Sequence, residues 1–287
     1  MRLPRSSFLV LFAALSPLAF AQDAVQPELE AKKETIYVPD PTPPAPPIVG
    51  STDELWEPGR WSLQIEPTVW FAAMGGDVQA GDGPELEFKD YGDDADSAHA
   101  ALSLRGMYRK DRWTVMADGF WLNFDESDQP SGSAIDFTLW SADVNLGWEL
   151  WEWKRERIVN GKSTDTGVVA RLIPYAGLRM IAPDVDTTTG GGDFSGSDEF
   201  LFPLVGLRIE LEILEWLSLD TGADFGGLDL LGDDAYSFDW TVNIRVMLTD
   251  NIGAQIGFRQ MYMNLESDDV LLDGSIGGLM AGLTIRF

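Results

Sequence analysis

Gly277-Gly278-Leu279-Met280-Ala281-Gly282-Leu283-Thr284-Ile285-Arg286-Phe287 closes the chain. Leu279, Ala281, Leu283, Ile285 and Phe287 share one parity and Gly278, Met280, Gly282, Thr284 and Arg286 the other, so the stretch reads as an amphipathic β-strand. A soluble sheet seldom ends on such a strand with a terminal aromatic residue, because a free edge and a frayed end result. In a closed barrel the last strand pairs with the first. The stretch predicts a barrel, in which the other segments carry the same period.

They do. Trp61, Leu63, Ile65, Pro67, Val69, Phe71 and Ala73 oppose Ser62, Gln64, Glu66, Thr68 and Trp70; Trp113, Val115, Ala117, Gly119 and Trp121 oppose Thr114, Met116, Asp118 and Phe120. The same alternation runs through 99–108, 138–149, 170–182, 204–213, 217–225, 238–248 and 252–262. Ten strands follow, with eight and twelve as the neighbouring counts. Period alone does not separate a face buried in a soluble core from one turned to lipid; three further features do. Most segments run about 10 to 13 residues, the length a tilted strand needs to cross a bilayer. The connections 109–112, 215 and 249–251 are short, while 76–98, 125–134, 184–199, 227–236 and 266–275 are long, as in barrels with tight periplasmic turns and long outer loops. Trp61, Trp113, Trp148, Trp151, Trp216 and Phe287 fall at one end of their strands, where an aromatic girdle sits. The predicted fold class is all-β, an antiparallel transmembrane up-and-down β-barrel over 59–287. The connection 152–168 breaks the short rule, and its Lys154-Arg155-Glu156-Arg157 run reads as a solvated loop.

Ahead of the barrel, Arg2 and Arg5 precede the apolar run Phe8 to Leu15, and Ala19-Phe20-Ala21 precedes Gln22. That pattern predicts a signal peptide over 1–21, cleaved before Gln22. Residues 22–58 lack apolar periodicity and contain Pro39-Asp40-Pro41-Thr42-Pro43-Pro44-Ala45-Pro46-Pro47, an extended Pro-rich periplasmic leader without a core. The absence of cysteine excludes a disulfide-stapled scaffold.

Asp and Glu total 47 against 20 Lys and Arg, a net charge of −27, which makes nucleic acid an improbable partner. By parity, Arg105, Arg171, Arg179, Arg208, Arg245 and Arg259 face inward together with Glu66, Asp118, Asp143, Glu210, Asp220 and Asp224. Opposite charges in a narrow lumen pair and fill it, so a plugged interior is expected. The outer connections hold the remaining acid: Asp77, Asp93, Asp94, Asp96, Asp125, Asp136, Asp184, Asp186, Asp239, Glu266 and Asp273 among others, with Lys89 as their cation. Such a surface attracts divalent or basic partners, and carboxylates suit Ca²⁺, yet no stretch has the spacing of a calcium loop. Neither a cofactor nor a metal is expected.

His99 is the single histidine, inward by parity near the outer end of its strand, after Asp93, Asp94, Asp96 and Ser97. A His–carboxylate pair there would activate water, but no nucleophile motif accompanies it, and no catalysis is expected.

Trp61-Ser62-Leu63 through Pro67-Thr68-Val69-Trp70 resembles the opening strand of a Gram-negative outer-membrane β-barrel family of undetermined function, whose pattern is Trp, alternating residues, Pro-Tyr, a hydrophobic residue and Trp; Thr68 replaces the Tyr. Strands ending in a carboxy-terminal Phe likewise resemble the sorting signal of outer-membrane barrels. Pro174-Tyr175-Ala176-Gly177-Leu178-Arg179, Pro203 to Arg208 and Gly257-Phe258-Arg259 are also similar to that family's strands. The resemblance implies fold and location, with no catalytic set. Partners are then outer-membrane lipids, lipopolysaccharide and, during insertion, the assembly machinery, with both termini periplasmic. The expected role is an envelope structural or interaction barrel, followed by a narrow solute or ion pore and then by a rim hydrolase using His99.

Overall fold

The structure, a computed structural model, describes residues 61–88, 99–126, 133–154, 157–159, 162–164, 168–228, 230 and 234–287. The segments predicted as a signal peptide and a Pro-rich leader, and the acids at 90–96, 128, 229 and 233, lie outside the described residues. Among the described residues every regular element is a strand: β1 (Trp61–Ala80), β2 (Leu86–Phe88), β3 (His99–Lys110), β4 (Trp113–Glu126), β5 (Ala134–Trp148), β6 (Trp151–Lys154), β7 (Arg157–Val159), β8 (Lys162–Thr164), β9 (Val169–Thr189), β10 (Gly192–Ser197), β11 (Phe200–Leu214), β12 (Leu217–Gly227), β13 (Asp234–Met247), β14 (Ile252–Glu266) and β15 (Val270–Arg286).

Ten of them close a barrel in the order β1-β3-β4-β5-β9-β11-β12-β13-β14-β15, each pair antiparallel, with β15 returning to β1. The closing pair sets Phe71 opposite Leu279 and Trp70 opposite Met280, and the Phe287 amide donates to the Leu63 carbonyl at 2.9 Å. At the near end two residues join β3 to β4 and β11 to β12, and four join β13 to β14; in the first turn Asp111 takes the left-handed φ of 52° that a tight hairpin favours. β2 and β10 are added at the far end. At the near end β6 continues beside β9, and β7 pairs with β8, so most of the described residues of the 152–168 connection are in strands.

The far connections are shorter than the sequence suggests, because the strands run on. β1 reaches Ala80, β9 reaches Thr189, and only 267–269 separate β14 from β15. Asp77, Asp125, Asp136, Asp184, Asp186, Asp234, Glu266 and Asp273, expected in loops, lie on strands.

The two faces of the wall exchange character part-way along. Near the short turns the outward residues are apolar and exposed: Leu102, Leu104, Val144, Leu146, Val205, Ile244, Ile256 and Leu283. An upper aromatic row, Phe71, Trp121, Trp140, Phe225, Phe238 and Tyr262, ends this belt. Trp121 faces Trp140, and Phe238 stands between Phe225 and Tyr262 in register. Trp121 lies eight residues beyond Trp113 on β4, about 26 Å of strand. Projected on the axis of a barrel whose strands tilt by about 40°, that is about 20 Å, the larger part of the ~25 Å apolar band of outer-membrane barrels. Beyond this row the outward positions turn to Asn123, Asp125, Asp136, Thr138, Asp184 and Asp186, and the inward ones become apolar. The far part of the barrel is thus built like a soluble β-barrel, polar outside and apolar within.

Candidate functional site

The lumen concentrates the chain's buried charge. Period two sends alternate residues inward, and three register pairs place carboxylates directly opposite one another on neighbouring strands: Asp118 with Asp143, Asp224 with Asp239, and Glu210 with Asp220. Like charges so placed repel. Guanidinium groups resolve each pair.

Arg179 on β9 binds Asp143 at 2.7 Å, Asp224 at 2.9 Å and Asp239 at 3.5 Å. Arg259 on β14 reaches Asp239 at 2.6 Å and, across the lumen, Asp118 at 2.9 Å; Arg105 takes the other Asp118 oxygen at 3.0 Å. Arg208 lies between Glu210 at 3.2 Å and Asp220 at 2.6 Å. Arg245 on β13 pairs with Glu66 on β1 and donates to Thr284 at 3.1 Å. Arg171 holds Glu212 at 2.7 Å and Glu152 at 3.0 Å. All twelve residues assigned inward by parity therefore enter one ion-pair layer, and several pairs tie opposite walls together.

The inward set read from the sequence missed others. Arg109, read as part of a turn, is buried and donates to Glu210 at 2.7 Å. Asp239, counted among the outer acids, is 4 % exposed and paired within the lumen. Arg109 sits one residue past the limit read from hydrophobicity, and carrying the alternation that far recovers it; Asp239 lies within the 238–248 segment on the parity of Arg245, so alternation alone already places it inward. Tyr175 donates to Asp224 at 3.0 Å, its ring lying over Gly206, where a β-carbon would overlap it.

Above the ionic layer lies an apolar plug. Trp70, Phe120, Phe200, Phe202, Met261, Met280 and their neighbours bury completely or nearly so. Arg259 joins the two layers, its guanidinium over the rings of Phe120 at 4.9 Å and Trp70 at 5.5 Å. Cavities of about 40 Å³, beside Asp143, Asn145 and Tyr175, and about 50 Å³, beside Arg109, Glu210 and Arg245, lie within the ionic layer. Each has room for no more than a few waters.

The far mouth is crossed by the β9–β10 hairpin. β9 and β1 are separated by three strands one way around the barrel and five the other. Nevertheless Phe194 of β10 rests on Gly83 just after β1 and packs against the plug, and Gly196 meets the carbonyl of Asp269 in the β14–β15 turn. The Gly81 amide donates to that same carbonyl at 2.8 Å.

The girdle residues Trp61, Trp113, Trp148, Trp151, Trp216 and Phe287 are all exposed at the near end. Trp113 stands edge-on to Trp148 at 4.5 Å, and Trp61 stacks on Tyr108 at 6.3 Å. His99 is placed 3.6 Å from Asp125 on β4 and edge-to-face with Phe124 at 4.9 Å, whereas the acids at 93–96 that suggested a dyad lie outside the described residues. Among the described residues no three acidic or histidine side chains form a metal-sized group.

No family model matches the chain, and no curated protein does. Among solved structures it is similar to the outer-membrane protease OmpT of Escherichia coli, with a TM-score of 0.52 and 11 % identity over 79 % of this chain and 97 % of that one. The likeness is one of fold. Neisserial surface protein A aligns over 79 % of this chain and 97 % of its own with a TM-score of 0.34 and 13 % identity. OprG of Pseudomonas aeruginosa aligns over 81 % and 97 % with the same score and identity.

Proposed function

We propose that the chain is an outer-membrane barrel whose lumen is sealed and which works through its two ends, as an envelope structural or interaction protein without catalysis. The observation that carries this reading is the double filling of the lumen, an ion-pair layer overlaid by an apolar plug. A conduit needs a continuous wet path, and both fillings stand against one. In this reading the apolar belt between the two aromatic rows meets lipid, the short turns face the periplasm, and the acidic far part stands outside the membrane. Lipids and lipopolysaccharide surround the belt.

The test is ion conductance of the refolded protein in a planar bilayer, with insertion established separately by heat-modifiable migration. A silent bilayer is expected; discrete, reproducible conductance steps would overturn the sealed-lumen reading. A narrow pore is the second reading, favoured by the two small polar cavities, and it requires those steps to change on charge reversal at Arg179 or Glu210. A rim hydrolase remains a third, resting on the His99–Asp125 approach, and it requires a hydrolytic activity that is lost in His99→Ala.

A further inference from the structure

The near end of the barrel is uneven around its circumference. On one side β6 prolongs the wall: Trp151 lies opposite Leu172 and Trp153 opposite Ala170, so both indoles share the outward face with Trp148. Leu150, Trp151 and Trp153 are 61, 51 and 44 % exposed. On the adjoining strand Trp113 leans on Trp148, and the turn before it carries Lys110 and Arg112, both exposed. Lys110 faces Trp113 on one side and Trp61 on the other, and the Arg112 carbonyl accepts from the Glu149 amide at 2.8 Å. The other tight turns at this end carry Glu215 and Asp250 instead. On β6 itself Lys154 is exposed too, but it is paired with Glu152 at 3.4 Å; in a chain of net charge −27, whose described arginines are mostly committed to the lumen, Lys110 and Arg112 beside exposed aromatic rings form a separate chemical surface.

We propose that this patch docks the phosphate headgroup of an anionic phospholipid in the leaflet at the short-turn end. The proposal rests on the membrane reading above and names one lipid class and one place on the barrel. The indoles are continuous with the lipid-facing belt and settle at headgroup depth. Lysine and arginine lay their apolar stems along a membrane-facing surface and extend their charged heads toward water, so Lys110 and Arg112 offer two donors at the phosphate plane, and a phosphate accepts from both. Asp111 at the turn apex subtracts one charge, so a neutral headgroup gains little here and an anionic one is selected.

The full-length protein is reconstituted in phosphatidylcholine vesicles in which either a fixed fraction of phosphatidylglycerol or the same fraction of phosphatidylcholine carries brominated chains, and tryptophan quenching is compared. Wild type is expected to favour the brominated anionic lipid. Lys110→Gln/Arg112→Gln loses that preference, by up to about 30-fold in relative binding if each cation contributes the usual membrane attraction. Glu215→Gln, at a turn outside the patch, keeps it. Equal quenching by both lipids in wild type, or an undiminished preference in the double variant, overturns the proposal. Failure of wild type to insert, read by migration in cold detergent, overturns the membrane reading and this proposal with it; insertion without lipid preference overturns this proposal alone.

Discussion

Arg179 and Asp143 face each other in register across β9 and β5, and the guanidinium grips both carboxylate oxygens, Nε to Oδ1 at 2.9 Å and Nη2 to Oδ2 at 2.7 Å. The same side chain donates to Ser237 at 3.0 Å and reaches Asp224 and Asp239, so a single residue ties β9 to β5, β12 and β13.

Removing that charge leaves Asp143 and Asp224 buried without their cation, while Asp239 keeps Arg259. Arg179→Met is expected to destabilise the refolded protein by about 3 to 5 kcal/mol, the usual cost of breaking a buried ion pair from one side. Arg179→Lys recovers only part of it, since an ammonium has no planar fork for the bidentate grip. Urea unfolding in detergent micelles, followed by tryptophan fluorescence, checks both.

Two independent seals make a specific prediction about conductance. Phe202 is fully buried in the plug, its ring over Gly226. Phe202→Ala opens a cavity and costs about 3 to 5 kcal/mol. The bilayer nevertheless stays silent, because the layer around Arg179 and Arg259 is untouched. Conductance steps in Phe202→Ala would show that the plug alone closes the lumen.

Glu149 supplies a pH test outside the membrane-spanning strands. Burial pushes its carboxyl above the ordinary glutamate range, and the neighbouring Glu152 carboxylate pushes it the same way, against the pull of Arg171. A folded-state pKa above the unfolded value means the fold binds this proton more tightly. Glu149 is therefore neutral in its contribution below the ordinary range, and it destabilises progressively as pH rises from there through its raised folded-state pKa. Glu149→Gln is expected to raise the unfolding midpoint at neutral pH and leave it unchanged in acid. An equal effect at both pH values would sink the assignment.

Much of this architecture is legible in the sequence because period two survives the change of environment. The inward parity of Glu66, Arg105, Asp118 and Arg245 follows from alternation alone, as does the strand count. Which carboxylate meets which guanidinium is not legible, since Arg259 reaching Asp118 and Arg245 reaching Glu66 depend on closure of the barrel. The far part reads as loops in the sequence for a physical reason. There the apolar residues, Val78, Phe137, Val185 and Leu272, occupy the inward face, while the outward one carries Asp77, Asp136, Asp186 and Asp273. Acid, threonine and glycine at that density resemble a solvated connection, and the exchange of faces is invisible until the upper aromatic row marks where it happens.

The far hairpin yields the last prediction. Gly196 lies so close to the Asp269 carbonyl that any β-carbon would overlap backbone, which a rotamer change cannot relieve. Gly196→Val must therefore lift β10 from the β14–β15 turn, withdrawing Phe194 from Gly83 and exposing the top of the plug. The barrel strands below do not depend on that contact: β9 keeps its pairing with β5 and β11. Insertion and heat-modifiable migration are thus expected to match wild type, whereas amide exchange quickens at 192–197 and around Gly81, whose amide loses its bond to Asp269. Phe194→Ala, which removes the ring and leaves the backbone contact, should quicken exchange in the plug more than at Gly81. Unchanged exchange at both places in Gly196→Val would mean that the hairpin does not bear on the far mouth as the geometry requires.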